Sequence, residues 1–188
     1  MQKKLSSIMK KITTWIKKNK VIDVILFGSY VRSKSKPRDI DLCIIIKDED
    51  EKKTLDLVDS LAQITKNPLI KFQINILSSS AFIKGDTLAK TLINEGQSIS
   101  KKIKLSEILG FKANSLFVYT LKHFSSSKRV KFHYLLKGRY GAKGILKEVS
   151  GNFLGTGSII IPIEKEDLLK EIFDKWDVEY KVQRMLLS

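Results

Sequence analysis

The stretch Val24-Ile-Leu-Phe-Gly-Ser-Tyr-Val-Arg-Ser-Lys-Ser-Lys-Pro-Arg-Asp-Ile-Asp-Leu-Cys-Ile-Ile-Ile46 decides the fold. Two apolar runs of β type, Val24–Phe27 and Leu42–Ile46, enclose a Gly28-Ser29 turn and a loop, Arg32 to Arg38, with four cations and no anion. Asp39 and Asp41 open the second run. Residues two apart on a strand share a face, so the two carboxylates lie side by side at the mouth of the loop. Acids that close repel one another unless a cation sits between them. Carboxylate oxygens suit Mg²⁺, which keeps several waters and completes its shell with substrate phosphates. Asp39 and Asp41 are therefore candidate ligands for Mg²⁺ or Mn²⁺. Gly28 lets a ligand approach the backbone closely. Ser29 offers a hydroxyl and, where a helix starts, N–H groups that favour phosphate.

The remaining periodicities place this stretch in an α/β chain. Leu5, Ile8, Met9, Ile12, Trp15 and Ile16 recur at helical spacing over 3–19, and lysines cover the opposite face. Leu55, Leu57, Val58, Leu61 and Ile64 give a second amphipathic helix over 52–66. The acids of 48–51 favour its N-terminus. Residues 69–77 alternate as a third strand, with Lys71, Gln73 and Asn75 on one face. Short helices follow after Ser78 and after Gly85-Asp86, and a basic boundary falls at 100–104. The 188 residues are 43% apolar, enough for a packed core, and no run of about 18 apolar residues suggests a membrane span. The one cysteine, Cys43, reads as core packing and suits a reducing interior. These features predict a cytoplasmic protein.

This order of parts resembles the nucleotidyltransferase superfamily of DNA polymerase beta, the CCA-adding enzymes and the kanamycin nucleotidyltransferases. The match is closest to the minimal nucleotidyltransferases. Their signature is an apolar strand, Gly-Ser, a spacer of about ten residues, then Asp-apolar-Asp-apolar; it appears here as Phe27-Gly28-Ser29 and Asp39-Ile40-Asp41-Leu42. Lys84-Gly-Asp-Thr-Leu-Ala and Asn94-Glu-Gly96 also look like the end of such a domain. The resemblance covers about residues 10–103. It implies a small mixed sheet flanked by helices, and Mg²⁺-dependent transfer of a nucleoside monophosphate from a nucleoside triphosphate to a hydroxyl on RNA, a protein or a small molecule. Asp39 and Asp41 would ligate metal. Gly28, Ser29, Arg32, Lys34, Lys36 and Arg38 would hold the nucleotide. Some minimal members act as antitoxins that modify a partner toxin, so a protein acceptor is among the implied partners. The family's third carboxylate falls at Gln73, or at Asn75 in a register slipped by two. An amide brings no charge and no base. Either one metal suffices, or Asp86 or Glu95 swings in, or activity is weak or lost.

The expected organisation is a nucleotidyltransferase-like domain over 1–104 and a basic α/β domain over 105–188. The predicted elements of the second are a β-prone run 115–124, helices at 129–137 and 142–149, a turn at 154–157 entering a strand 158–163, a helix 164–176 and a strand 179–187. A winged-helix arrangement is also compatible with this order. The formal charge is +15, which favours polyanionic partners. Between Glu107 and Glu148 there is no acid but nine Lys and Arg, interleaved with Phe124, Phe132, Tyr134 and Tyr140. Cations and aromatic faces are what an RNA surface needs. Lys128, Arg129, Lys131, Lys137, Arg139 and Lys143 are the candidate contacts to RNA or a ribonucleoprotein such as a ribosomal particle. His123 and His133 lack partners at metal spacing and read as structural or phosphate-contacting. The alternative function is an inactive or weak nucleotidyltransferase fold that binds RNA.

Overall fold

The computed structural model describes residues 2–32, 39–47, 51–67 and 70–188. The chain separates into two units, Met1–Gly110 and Phe111–Ser188.

In the first unit the elements run α1 (Gln2–Asn19), β1 (Asp23–Phe27), α2 (Ser29–Arg32), β2 (Asp39–Ile46), α3 (Glu51–Thr65), β3 (Lys71–Ser78), α4 (Ser79–Lys84), α5 (Thr87–Glu95), β4 (Gln97–Ser98) and α6 (Leu105–Ile108). The sheet order is β3-β2-β1-β4. Strand β1 pairs antiparallel with β2, and α3 carries the chain across so that β3 lies parallel to β2. Both central strands are apolar runs because both faces of the sheet are covered. Ile40, Leu42, Ile44 and Ile46 pack with Ile12, Trp15 and Ile16 of α1 and Leu61 of α3. Cys43 and Ile45 point the other way, onto Ala89 and Leu92 of α5. Trp15 ties α1 to α3 by donating its indole N–H to Ser60 Oγ at 3.0 Å. Leu105 of α6 joins the cluster around α5, and its N–H donates to the Gly96 carbonyl. One expected core position faces out: Leu55 is 65% exposed, about 120° around α3 from Leu61 at 3.6 residues per turn. Residues 48–50 of the acidic run lie outside the described residues.

The second unit runs β5 (Lys112–Thr120), α7 (Ser126–Lys137), α8 (Ile145–Glu148), β6 (Asn152–Gly155), β7 (Ser158–Pro162), a 3₁₀ turn, α9 (Glu166–Trp176) and β8 (Glu179–Leu187). Its sheet, β6-β7-β5-β8, is antiparallel throughout, which replaces the winged-helix arrangement. Phe117, Phe132 and Phe173 meet edge to face at ring distances of 5.5 Å and form the centre of the core. Leu154-Gly155, expected in a turn, belongs to β6, and the reversal follows it at Thr156-Gly157. Strand β6 was not legible because it is short and exposed throughout, with no alternation to mark it. Leu168 is exposed, about 100° off the Leu169–Phe173 stripe of α9. The four interleaved aromatics divide evenly: Phe124 and Phe132 are core, while Tyr134 and Tyr140 are exposed. Among the described residues no helix is long and apolar enough to cross a membrane.

Candidate active site

The site lies where β1 ends. Strand β1 delivers Gly28 with φ +79°, a left-handed conformation that suits glycine. Register does the rest. Phe27 pairs with Asp41 across the β1–β2 ladder, and Asp41 pairs with Gln73 across β2–β3. A Cβ on Gly28 would stand 2.1 Å from Asp41 Oδ2, so the bare glycine is what admits this carboxylate. Asp39 and Asp41 share the face of β2 that Cys43 and Ile45 continue into the α5 core. Gln73 reaches back from β3, and its Nε2 donates to Asp39 Oδ2 at 2.9 Å. The slipped register through Asn75 does not occur.

Electrostatics at the pair are strained in one direction. Partial burial raises the Asp41 carboxyl above its ordinary range, and the charges of Asp39 and then Glu95 raise it further. Arg32 opposes them. A divalent cation at the pair would relieve that repulsion, and the donor set of two carboxylates opening toward an exposed Gln73 is chemically suited to one. Among the described residues no three acid, histidine or cysteine side chains converge at metal distance. Asp39 and Asp41 are the two carboxylates that would hold a Mg²⁺ or Mn²⁺ ion here.

The family model for polymerase beta nucleotidyltransferases matches residues 10–104, just over half of the chain. The chain belongs to this family. The family's general reaction is nucleoside monophosphate transfer from a nucleoside triphosphate, with a divalent metal. No curated protein sequence matches the chain. Two solved toxin–antitoxin structures are similar to this nucleotidyltransferase at 16% identity and a TM-score of 0.36. One is a tri-AMPylated Shewanella oneidensis HEPN toxin in complex with MNT antitoxin, with 68% of this chain covered and 95% of that one. The other is a mutant of the toxin–antitoxin MntA-HpeT, with 66% and 95% covered.

Not every residue expected at the nucleotidyltransferase site meets there. Gly28, Asp39, Asp41 and Gln73 come together, and Ser29 begins α2 beside them. Arg32 turns to Glu95, whose carboxylate its Nη1 meets at 2.5 Å; the Glu95 side chain is 3% exposed. Lys34, Lys36 and Arg38 lie outside the described residues. Asp86 is an exposed cap residue of α5. Glu95 occupies the buried stripe of α5 with Ala89 and Leu92, so an acid at i+3 from a core leucine was the legible sign of a buried charge in need of a cation.

In the second unit the expected RNA contacts take different parts. Arg129 donates from Nε and Nη2 to the Leu121 and Lys122 carbonyls, both at 3.0 Å, and so ties down the chain before α7. Lys128 Nζ stands 3.8 Å over the Phe124 ring. Arg139 lies between the Tyr134 and Tyr140 rings, 4.8 and 4.4 Å from their centres. Lys131, Lys137 and Lys143 are exposed. His123 Nε2 contacts the Asp177 carbonyl at 2.8 Å. Sequence reasoning passed over Phe153, which stacks on His133 with ring centres 6.1 Å apart and planes 22° from parallel.

Proposed function

We propose that this chain transfers a nucleoside monophosphate from a nucleoside triphosphate to a hydroxyl acceptor, with pyrophosphate leaving, at the Gly28–Asp39–Asp41 site. The single observation that carries this is the Asp41 carboxylate seated against Gly28, beside Asp39 and where β1 gives way to α2. Asp39 and Asp41 would hold Mg²⁺ or Mn²⁺, which supplies charge neutralisation for the phosphates and a fixed orientation for in-line displacement. Gly28 leaves room for the Asp41 carboxylate at the end of β1, and Ser29 would supply a hydroxyl to the phosphates. The cations Lys34, Lys36 and Arg38 offset triphosphate charge. Arg32 serves differently: its pairing with Glu95 anchors the end of α2 to α5. Gln73 orients the Asp39 carboxylate through their hydrogen bond and has no basic atom with which to accept a proton.

RNA is the acceptor class that the charge of the second unit favours. One observation supports a second reading. The amide at position 73 stands where a carboxylate would complete a two-metal site, and such a chain would serve as a binding protein for RNA or a ribonucleoprotein particle. Incubation with labelled nucleoside triphosphates and Mg²⁺ or Mn²⁺, alone and with total RNA, separates the two. Label transfer that Asp39→Ala and Asp41→Ala abolish supports the enzyme. Absence of transfer to any acceptor favours the binding protein.

A further inference from the structure

The second unit carries a trough that nucleotidyl transfer leaves unused. It runs between α7 and β6. Its larger part, about 790 Å³, is lined by Tyr119, Lys122, Arg129, His133 and Phe153. A smaller part, about 270 Å³, lies where Phe153 is again a wall, with Lys137 and Lys147. Phe153 thus borders both parts. Its ring and that of His133 are nearly parallel, and both residues are exposed. Exposed flat rings with open space beside them accept a further planar group. The cations stand at the two ends, Lys122 and Arg129 at one and Lys137 and Lys147 at the other. Arg129 is fixed in place by its two carbonyl partners. From Arg129 to Lys137 the helix advances about 12 Å at 1.5 Å per residue, enough for a short stretch of extended strand. Acids are sparse along this stretch: from Ile108 to Ile163 the sequence holds one, Glu148, and β8 adds Glu179 opposite Thr120 at the trough's edge.

We propose that the trough between α7 and β6 binds unpaired RNA, one base stacking on the Phe153–His133 pair and the flanking phosphates meeting Lys122 at one end and Lys137 and Lys147 at the other. The ring pair selects a single strand, because a base inside a duplex has no free face to stack. This deepens the RNA-partner reading of the second unit and is independent of transfer at Asp39 and Asp41.

The test is fluorescence anisotropy on the full chain with a labelled oligouridylate and with a duplex RNA of the same length, across a salt series. The single strand binds more tightly than the duplex. Phe153→Ala and His133→Ala each weaken single-strand binding by about 5- to 150-fold, the range that loss of one base stack gives, and leave the salt slope unchanged. Phe153→Trp restores the affinity. Lys122→Gln with Lys137→Gln lowers the slope of log K against log salt by about 1.4, or 0.7 for each phosphate contact. The double variant Asp39→Ala, Asp41→Ala binds as the parent does, so failure of the enzyme reading is seen separately. Circular dichroism melting confirms that Phe153→Ala is folded; His133→Ala, at an exposed position, gives the answer if it is not. Parent-like affinity in His133→Ala, or equal displacement by polyglutamate and unlabelled oligouridylate, overturns the proposal. The second of these results assigns the trough to an acidic protein surface instead.

Discussion

Gly28→Ala tests the geometry on which the catalytic reading stands. Two costs follow from one methyl group. The backbone at φ +79° is left-handed, and an L side chain there costs about 1 kcal/mol relative to glycine. The new Cβ also meets Asp41 Oδ2 at 2.1 Å, where ordinary contact begins at 3.4 Å. The carboxylate must therefore retreat by about 1.3 Å, the difference between those two distances. It is the end of a short side chain at a half-buried position, so it can rotate away without opening the core. Stability should fall by only about 1–2 kcal/mol, a shift of about 4–9 °C in melting temperature for a unit of this size. Function should suffer more, since displacing a reacting group by about 1 Å costs on the order of a hundredfold. Melting by circular dichroism and label transfer from a nucleoside triphosphate read the two effects separately. A Gly28→Ala protein that melts lower yet transfers label at the parental rate refutes the reasoning, because Asp41 would then have no need of its place against the glycine.

Three further outcomes follow from the same structure. Gln73→Glu places a carboxylate against Asp39; its melting temperature falls below the parent's without metal and rises further than the parent's as Mg²⁺ is titrated in, which a thermal-shift series measures. Arg32→Ala removes the guanidinium from the buried Glu95 carboxylate and lowers unfolding stability by about 3 kcal/mol, read by urea denaturation. In the second unit, Glu166 is buried against solvent, but hydrogen bonds from Arg184, Lys170 and Ser115 overcome that penalty and hold its carboxyl at about 2 against an ordinary 4.5. A depressed carboxylate stabilises the fold above its unfolded value and loses that contribution as pH falls from about 4.5 toward 2. The full shift corresponds to about 3.4 kcal/mol at 1.36 per unit, and the partial exposure of Arg184 and Lys170 reduces it to about 2 kcal/mol. Glu166→Gln removes this acid sensitivity, which denaturation at a series of pH values detects.

The first unit was largely legible, and the reason is burial. Strands β1 and β2 are covered on both faces, so they appear in the sequence as unbroken apolar runs. The glycine and the two acids interrupt those runs at their ends, where only a site requires them. The alternation of β3 narrowed the position facing the acids to Gln73 or Asn75, since a slip of one residue would have reversed the whole strand, and only the β2–β3 register chose Gln73. Arg32 was legible as a cation near the loop, but its partner was not. Glu95 lies 63 positions away and reaches it only through the packing of α5 on the sheet. The second unit gave less. Strand β6 has four exposed residues and no period. Phe153 therefore looked like one more loop aromatic, and its role depends on a stack with His133 twenty residues earlier. Charge showed through where pattern did not. A run of forty residues without an acid survives any error in assigning helices and strands.

The amide at position 73 bears on how many metal ions the proposed reaction can use. Two divalent ions in one site bring four positive charges to a place where the protein supplies two negative ones, from Asp39 and Asp41. Glu95 turns its carboxylate to Arg32 rather than to the pair, so it reaches Asp41 only through space, where its charge raises the carboxyl and Arg32 opposes it. Gln73 spends an N–H on Asp39, which turns the nitrogen end of its amide toward the acid rather than leaving both ends free for a cation. A single ion balances the carboxylate pair without help. A second could be held only by the triphosphate's own charge, and it would arrive and leave with the nucleotide. On the proposed reading the carboxylate pair would hold one Mg²⁺ or Mn²⁺ by itself. The amide at position 73 would then leave control of any second charge to the substrate rather than to the protein.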